Sequence, residues 1–130
     1  MNGNVSSKDV WFLLGFGFAI WLIATVAFRL VGQVLISPDT PYIIAGLFVV
    51  TIPAMVLLTI GAFRWRAVDS THRPLAAILL VTPGMVLDAI VLPFFGTVFP
   101  NMVVESAQYF GGFLLLAYVL ALLVGLFSGR

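Results

Sequence analysis

Residues 74–95 read PLAAILLVTPGMVLDAIVLPFF, and within them lies Thr82-Pro83-Gly84-Met85-Val86-Leu87-Asp88. The run is long enough to cross a bilayer, which takes roughly 20 apolar residues. Yet it holds a helix-bending proline, a close-packing glycine and a carboxylate. A carboxylate at that depth is costly unless it finds a partner. Arg29 is the only basic residue inside another apolar run, so an Arg29–Asp88 pair is the expected fastener of the fold.

The rest of the chain has the same solvent. Of its 130 residues 62% are hydrophobic and only 8% charged, whereas a soluble domain carries about a quarter charged residues. Apolar runs at about 10–36, 42–63, 74–95 and 102–127 predict four spans. The expected fold is therefore all-α, an integral membrane four-helix bundle forming one domain over residues 1–130. Ser6 and Asp9 resemble a capping box at the first helix. That helix runs well past the length of a signal-peptide core and is read as retained. Ser37-Pro38-Asp39-Thr40-Pro41 stops it. Pro53 should bend the second span, as membrane helices tolerate. Ser70 or Thr71 can cap the third, with Pro74 in its first turn. Asn101, after Phe99-Pro100, is the expected N-cap of the fourth.

Charge placement predicts orientation. With four spans, both termini and the loop between the second and third helices share a side. Lys8, Arg64, Arg66, Arg73 and Arg130 fall there, while the other two loops hold Asp39 and no Lys or Arg. The positive-inside rule puts both termini in the cytoplasm. Trp11 and Trp65 read as interface anchors on that side, whereas Trp21 lies too deep for that role and packs in the bundle.

Polar residues inside the runs are the candidate site. Thr25, Arg29, Gly32 and Gln33 share one side of the first helix, and Ala77, Val81, Gly84 and Asp88 one side of the third. Glu105, Gln108 and Gly112 supply a similar face on the fourth. The intramembrane pair Arg29 and Asp88, supported by Thr25, Gln33, Glu105 and Gln108, is either a device that fixes helix register or the lining of a conduction or proton path. Arg29 can instead snorkel to the headgroups, which would leave Asp88 protonated or bonded to Gln33, Gln108 or Thr hydroxyls. Ala117, Ala121 and Gly125 form a small-residue stripe suited to close helix contact, within the bundle or with a partner subunit.

Several function classes drop out. There are no cysteines, hence no disulfide or thiolate chemistry. The single histidine, His72, cannot build a multi-histidine metal site; it is expected among cytoplasmic headgroups rather than ligating a haem or pigment, and no cofactor or metal is expected. A net charge of +1 gives no reason to expect nucleic acid. Gly15 and Gly17 lie in an apolar helix without the strand–loop context of a nucleotide site. No nucleophile–base arrangement is visible, so an enzyme is not expected.

Phe16 to Ile23, Phe28-Arg29-Leu30 with Gly32-Gln33, Pro83 to Asp88, and Val98-Phe99-Pro100-Asn101-Met102, in that order, resemble a family of small bacterial membrane proteins known as domain of unknown function number 5367. The resemblance would span nearly the whole chain, although the second helix adds nothing distinctive to it. It implies a bacterial, multi-pass protein of the cytoplasmic (inner) membrane and no particular activity. The function expected is a non-catalytic accessory or assembly subunit of a larger membrane complex, whose partners are the lipid bilayer and other membrane subunits or further copies of the chain. The alternative is a minimal oligomeric transporter or channel using Arg29 and Asp88.

Overall fold

The structure is a computed structural model that describes residues 7–128. Five helices account for most of it: α1 (Ser7–Leu35), α2 (Pro41–Trp65), α3 (Arg73–Val91), the single turn α4 (Phe95–Val98) and α5 (Ser106–Ser128). A 3-10 turn, Ser70–His72, leads into α3, and another, Leu92–Phe94, joins α3 to α4. Four segments are long and apolar enough to cross a membrane, the third being Ser70–Val98, which runs through α3 and α4.

Chain order is not packing order. α3 packs between α1 and α5, and α2 lies on the other side of α5 while meeting α1 only marginally. In lipid an apolar side chain gains little by moving from tails to protein, so close backbone approach and interhelical hydrogen bonds must hold the helices. α3 supplies the approach. Its Ala77, Val81, Gly84 and Asp88 face is buried along its length, as the spacing predicted. Gly17 of α1 abuts the Leu80 carbonyl, which a methyl group at Gly17 would overlap. Gly125 of α5 lies against Ala77 and the Arg73 carbonyl. The stripe Ala117–Ala121–Gly125 is thus buried within this bundle.

Two apolar clusters close the ends. Leu13, Phe63, Val68, Ala76, Ala77 and Leu80 form one, at the end where α1 begins and α2 turns into α3. Phe28, Ile36, Ile44, Phe95, Phe99, Met102 and Phe110 form the other, at the far end. At the first end Asp9 accepts from Arg66 at 2.8 Å, and that guanidinium lies over the Phe12 ring. α2 ends in a Schellman motif: Val68 N–H reaches the Phe63 carbonyl and Ala67 N–H the Arg64 carbonyl. The residue between, Ala67, takes φ 51°, a left-handed conformation that suits glycine.

Helix boundaries differ from expectation at three places. α1 begins by Ser7 rather than near Val10; Ser6 of the expected capping box and Arg130 lie outside the described residues. His72, not Ser70 or Thr71, is the N-cap of α3, without a side-chain cap bond. Thr71 donates instead to Asp69 at 2.7 Å; that hydrogen bond, with a smaller contribution from His72, holds the Asp69 carboxyl below its usual range. α5 starts at Ser106 rather than Met102. Phe99 and Met102 of the preceding stretch are buried in the far cluster, with Met102 against Gly32, so packing rather than helix continuation sets the path there. Asn101 caps no helix; its amide donates to the Phe28 carbonyl at 2.9 Å and to Gln33 at 2.6 Å.

Gly17→Ala should therefore cost about 1–3 kcal/mol through forced separation of α1 and α3, whereas Gly15→Ala, with nothing within 4 Å of the added methyl, should stay within about 0.5 kcal/mol. Unfolding in detergent measures both, and equal effects would contradict the α1–α3 contact. Relief of the left-handed strain should make Ala67→Gly more stable by about 1 kcal/mol in the same assay.

Candidate functional site: an intramembrane carboxylate

Asp88 lies 15 residues beyond Arg73, the start of α3, hence about 22 Å along that helix at 1.5 Å per residue. Trp21 lies 14 residues beyond Ser7, about 21 Å along α1. The two meet: the Trp21 indole Nε1–H donates to Asp88 Oδ1 at 2.8 Å. The Tyr118 hydroxyl of α5 donates to Oδ2. Asp88 is buried, and each carboxylate oxygen holds one donor from a different helix, so the network ties α1, α3 and α5 at mid-depth.

Arg29 is not part of it. It lies eight residues past Trp21 on α1, about 12 Å further along the helix, and its Nη1 donates to the Val98 carbonyl at 2.9 Å at the end of α4. The expected Arg29–Asp88 pair does not form, for two reasons. The early start of α1 leaves Arg29 about two turns beyond the level of Asp88. The stripe that α1 buries includes Leu13, Gly17, Phe28 and Gly32, and Arg29 stands about 100° from its neighbour Phe28 around the helix. Arg29 is exposed, and its side chain reaches Val98 at the end of the bundle.

The expected supporting residues are scattered. Thr25 lines the cavity described below. Gln33 joins Asn101 and Arg29 at the far end, donating to the Leu30 carbonyl at 3.2 Å. Glu105 and Gln108 are exposed and lie outside the Asp88 network. His72 sits beside Asp69 at 3.5 Å, and no group of three or more metal-ligating side chains occurs among the described residues.

What spacing alone missed is Trp21 and Tyr118. A usable signal existed. Indole N–H and phenol O–H groups buried in apolar surroundings need an acceptor, and Asp88 is the carboxylate deep within a span rather than near its end.

The network borders empty space. An apolar cavity of about 120 Å3 lies among the four long helices, walled by Trp21, Thr25, Gly84, Asp88 and Tyr118 together with Phe28, Phe110 and Phe113. α2 contributes Met55 and Leu58 to its wall. A second, more open hollow between α3 and α5 is lined by Met85, Ala89, Leu92, Gly111 and Leu115, and also by Asp88 and Tyr118. Asp88, Tyr118 and Leu114 line both.

Double-mutant cycles separate the pairs. Asp88→Ala with Tyr118→Phe should show a coupling of about 0.6–1.7 kcal/mol, the range of interhelical hydrogen bonds in membranes. Asp88→Ala with Arg29→Ala should be additive within about 0.5 kcal/mol, and exchanging the two charged residues should restore nothing. Strong Arg29–Asp88 coupling in detergent unfolding would contradict the geometry.

No curated protein and no solved structure matches the chain. A family model matches residues 34–130, described as a family of unknown function (DUF5367). The match takes in the whole of α2, α3 and α5, including Asp88, Asn101 and Tyr118. It does not reach Phe16 to Ile23 or Arg29, which had been counted toward the resemblance. On that match the chain belongs to the DUF5367 family.

Proposed function

We propose that the protein is a minimal membrane carrier in which Asp88 is the group that takes up and releases the transported ion or ligand. The observation that carries this reading is the Asp88–Tyr118 pair. Asp88 and Tyr118, hydrogen-bonded between α3 and α5, line with Leu114 both a cavity inside the bundle and a hollow on its flank. An ionisable side chain within a span is costly, and such groups recur along ion and proton paths. The register-fixing role for Asp88 rested on a counter-charge, and Arg29 is spent on Val98 instead.

The accessory-subunit reading drew on lipid-facing and small-residue surfaces. The Ala117–Ala121–Gly125 stripe is used inside the bundle, which removes one of these, and the hollows at Asp88 favour the carrier reading. Orientation belongs to the same proposal. Lys8, Arg64, Arg66 and Arg73 lie at the end where α1 begins, which the positive-inside rule places in the cytoplasm of a bacterial inner membrane.

In proteoliposomes the wild-type protein should dissipate an imposed pH gradient, read by an entrapped pH dye. Asp88→Asn should reduce that rate at least tenfold while keeping its helical spectrum and elution volume. Unchanged dissipation in the folded variant would overturn the carrier reading. Because the chain has no cysteine, a single Ser70→Cys thiol should label from the cytoplasm and Asp39→Cys from the opposite side.

A further inference from the structure

The chemistry of the cavity wall narrows what Asp88 can hold. Both carboxylate oxygens already accept a neutral donor, from Trp21 and Tyr118. Neither donor brings a positive charge. Among the groups facing Asp88, α1 offers Trp21 and Thr25, α5 offers Tyr118, and α2 has no charged residue from Tyr42 to Phe63. Arg29, the nearest basic residue along α1, is about 12 Å further on and bonded to Val98. A carboxylate so placed needs either a proton or a cation from outside the chain.

A strongly hydrated metal ion is poorly served here. Hard cations take about six oxygen ligands, and the lining side chains that carry oxygen are Asp88, Tyr118 and Thr25. Two of the lining rings, Trp21 and Tyr118, stand at Asp88 itself, while Phe28, Phe110 and Phe113 line the cavity about 7–12 Å further along their helices. Aromatic faces attract weakly hydrated organic cations, and a quaternary ammonium is the usual guest of such a cage. Size agrees. The cavity of about 120 Å3 is near the roughly 150 Å3 that accepts a benzene molecule, which is room for a compact ammonium.

Resting on the carrier reading above, we propose that the ligand of the Asp88 cavity is a small lipophilic organic ammonium ion, held by the carboxylate and the aromatic wall, and that it competes with a proton for Asp88. A bound proton removes the charge that attracts the ammonium, and a bound ammonium disfavours the proton. Occupancy by one excludes the other.

The test uses the full chain in detergent with Trp11→Phe and Trp65→Phe, leaving Trp21 as the sole indole. Tetramethylammonium chloride is the probe, sodium chloride at equal ionic strength the first control, and sodium methanesulfonate the anionic one. Tetramethylammonium should change Trp21 fluorescence saturably, and its apparent Kd should rise up to tenfold per pH unit as the pH falls through the titration of Asp88. Neither control should saturate. Asp88→Asn should abolish the response and Asp88→Glu retain it. A folded Asp88→Asn protein that still binds, equal saturation by methanesulfonate, or a pH-independent Kd would each overturn the proposal. Should Asp88→Asn fail to fold, the pH series on the carboxylate-bearing protein decides alone. Asp88-dependent proton flux without tetramethylammonium binding would overturn the ligand class and leave the carrier standing. Proton-linked binding without flux would do the reverse.

Discussion

Lipid removes the force that assembles most soluble proteins, and the consequences run through this bundle. With apolar side chains nearly as content among tails as among neighbours, helices associate where backbones can come close and where polar groups find partners across the gap. α3 meets both conditions on one face. Ala77, Gly84 and the Leu80 carbonyl admit α1 and α5 to contact distance through Gly17 and Gly125. Asp88 then collects a donor from each of those same helices. That explains why α3 sits between α1 and α5, and why α2, which lacks a charged residue from Tyr42 to Phe63, is held chiefly by packing against α5.

A bundle tied at mid-depth by hydrogen bonds to one carboxylate differs from one tied by an ion pair. A buried pair is self-sufficient; breaking it leaves an uncompensated charge costing about 3–5 kcal/mol. Asp88 is not self-sufficient in that sense. Its donors are neutral, and no basic side chain among the described residues bonds it. Meanwhile the cation that would have balanced it is used at the far end, where Arg29 satisfies the Val98 carbonyl and Asn101 joins Gln33 to the Phe28 carbonyl. The chain keeps its two intramembrane charges about two helical turns apart. One closes the end of the bundle, and the other faces its cavity.

The four helices were legible because length and hydropathy are local properties, and the α3 face because Ala77, Val81, Gly84 and Asp88 repeat at helical spacing. Helix neighbours were not. Nothing local distinguishes α1 beside α3 from α1 beside α2, since that choice depends on Gly17 matching a carbonyl 63 positions away at Leu80. The site was half legible for a related reason. Asp88 stands out as a charge, but its partners had to be inferred, and opposite charge is a weaker guide than depth. An error of three residues in the start of α1 shifts Arg29 by about 4.5 Å, enough to bring a false partner within apparent reach. Trp21 and Tyr118 hid because aromatic residues in apolar runs read first as packing.

The Pro83-Gly84 step bears on how Asp88 could move. Pro83 lacks the N–H that would bond the Leu79 carbonyl, and Thr82 turns its hydroxyl back to the Ile78 carbonyl, a bond that bends helices. Gly84 follows, where a side-chain methyl would come within 2.6 Å of the Tyr118 hydroxyl. The absent methyl lets that hydroxyl reach Asp88 one turn on. Softness in the α3 backbone, the space that admits Tyr118 and the carboxylate it bonds are therefore confined to seven consecutive residues, Thr82 to Asp88. On the proposed carrier reading that softness lies where it is useful, because a small change in bend at Pro83 would tilt Asp88 while the Gly17 and Gly125 contacts, lower on α3, stay in place.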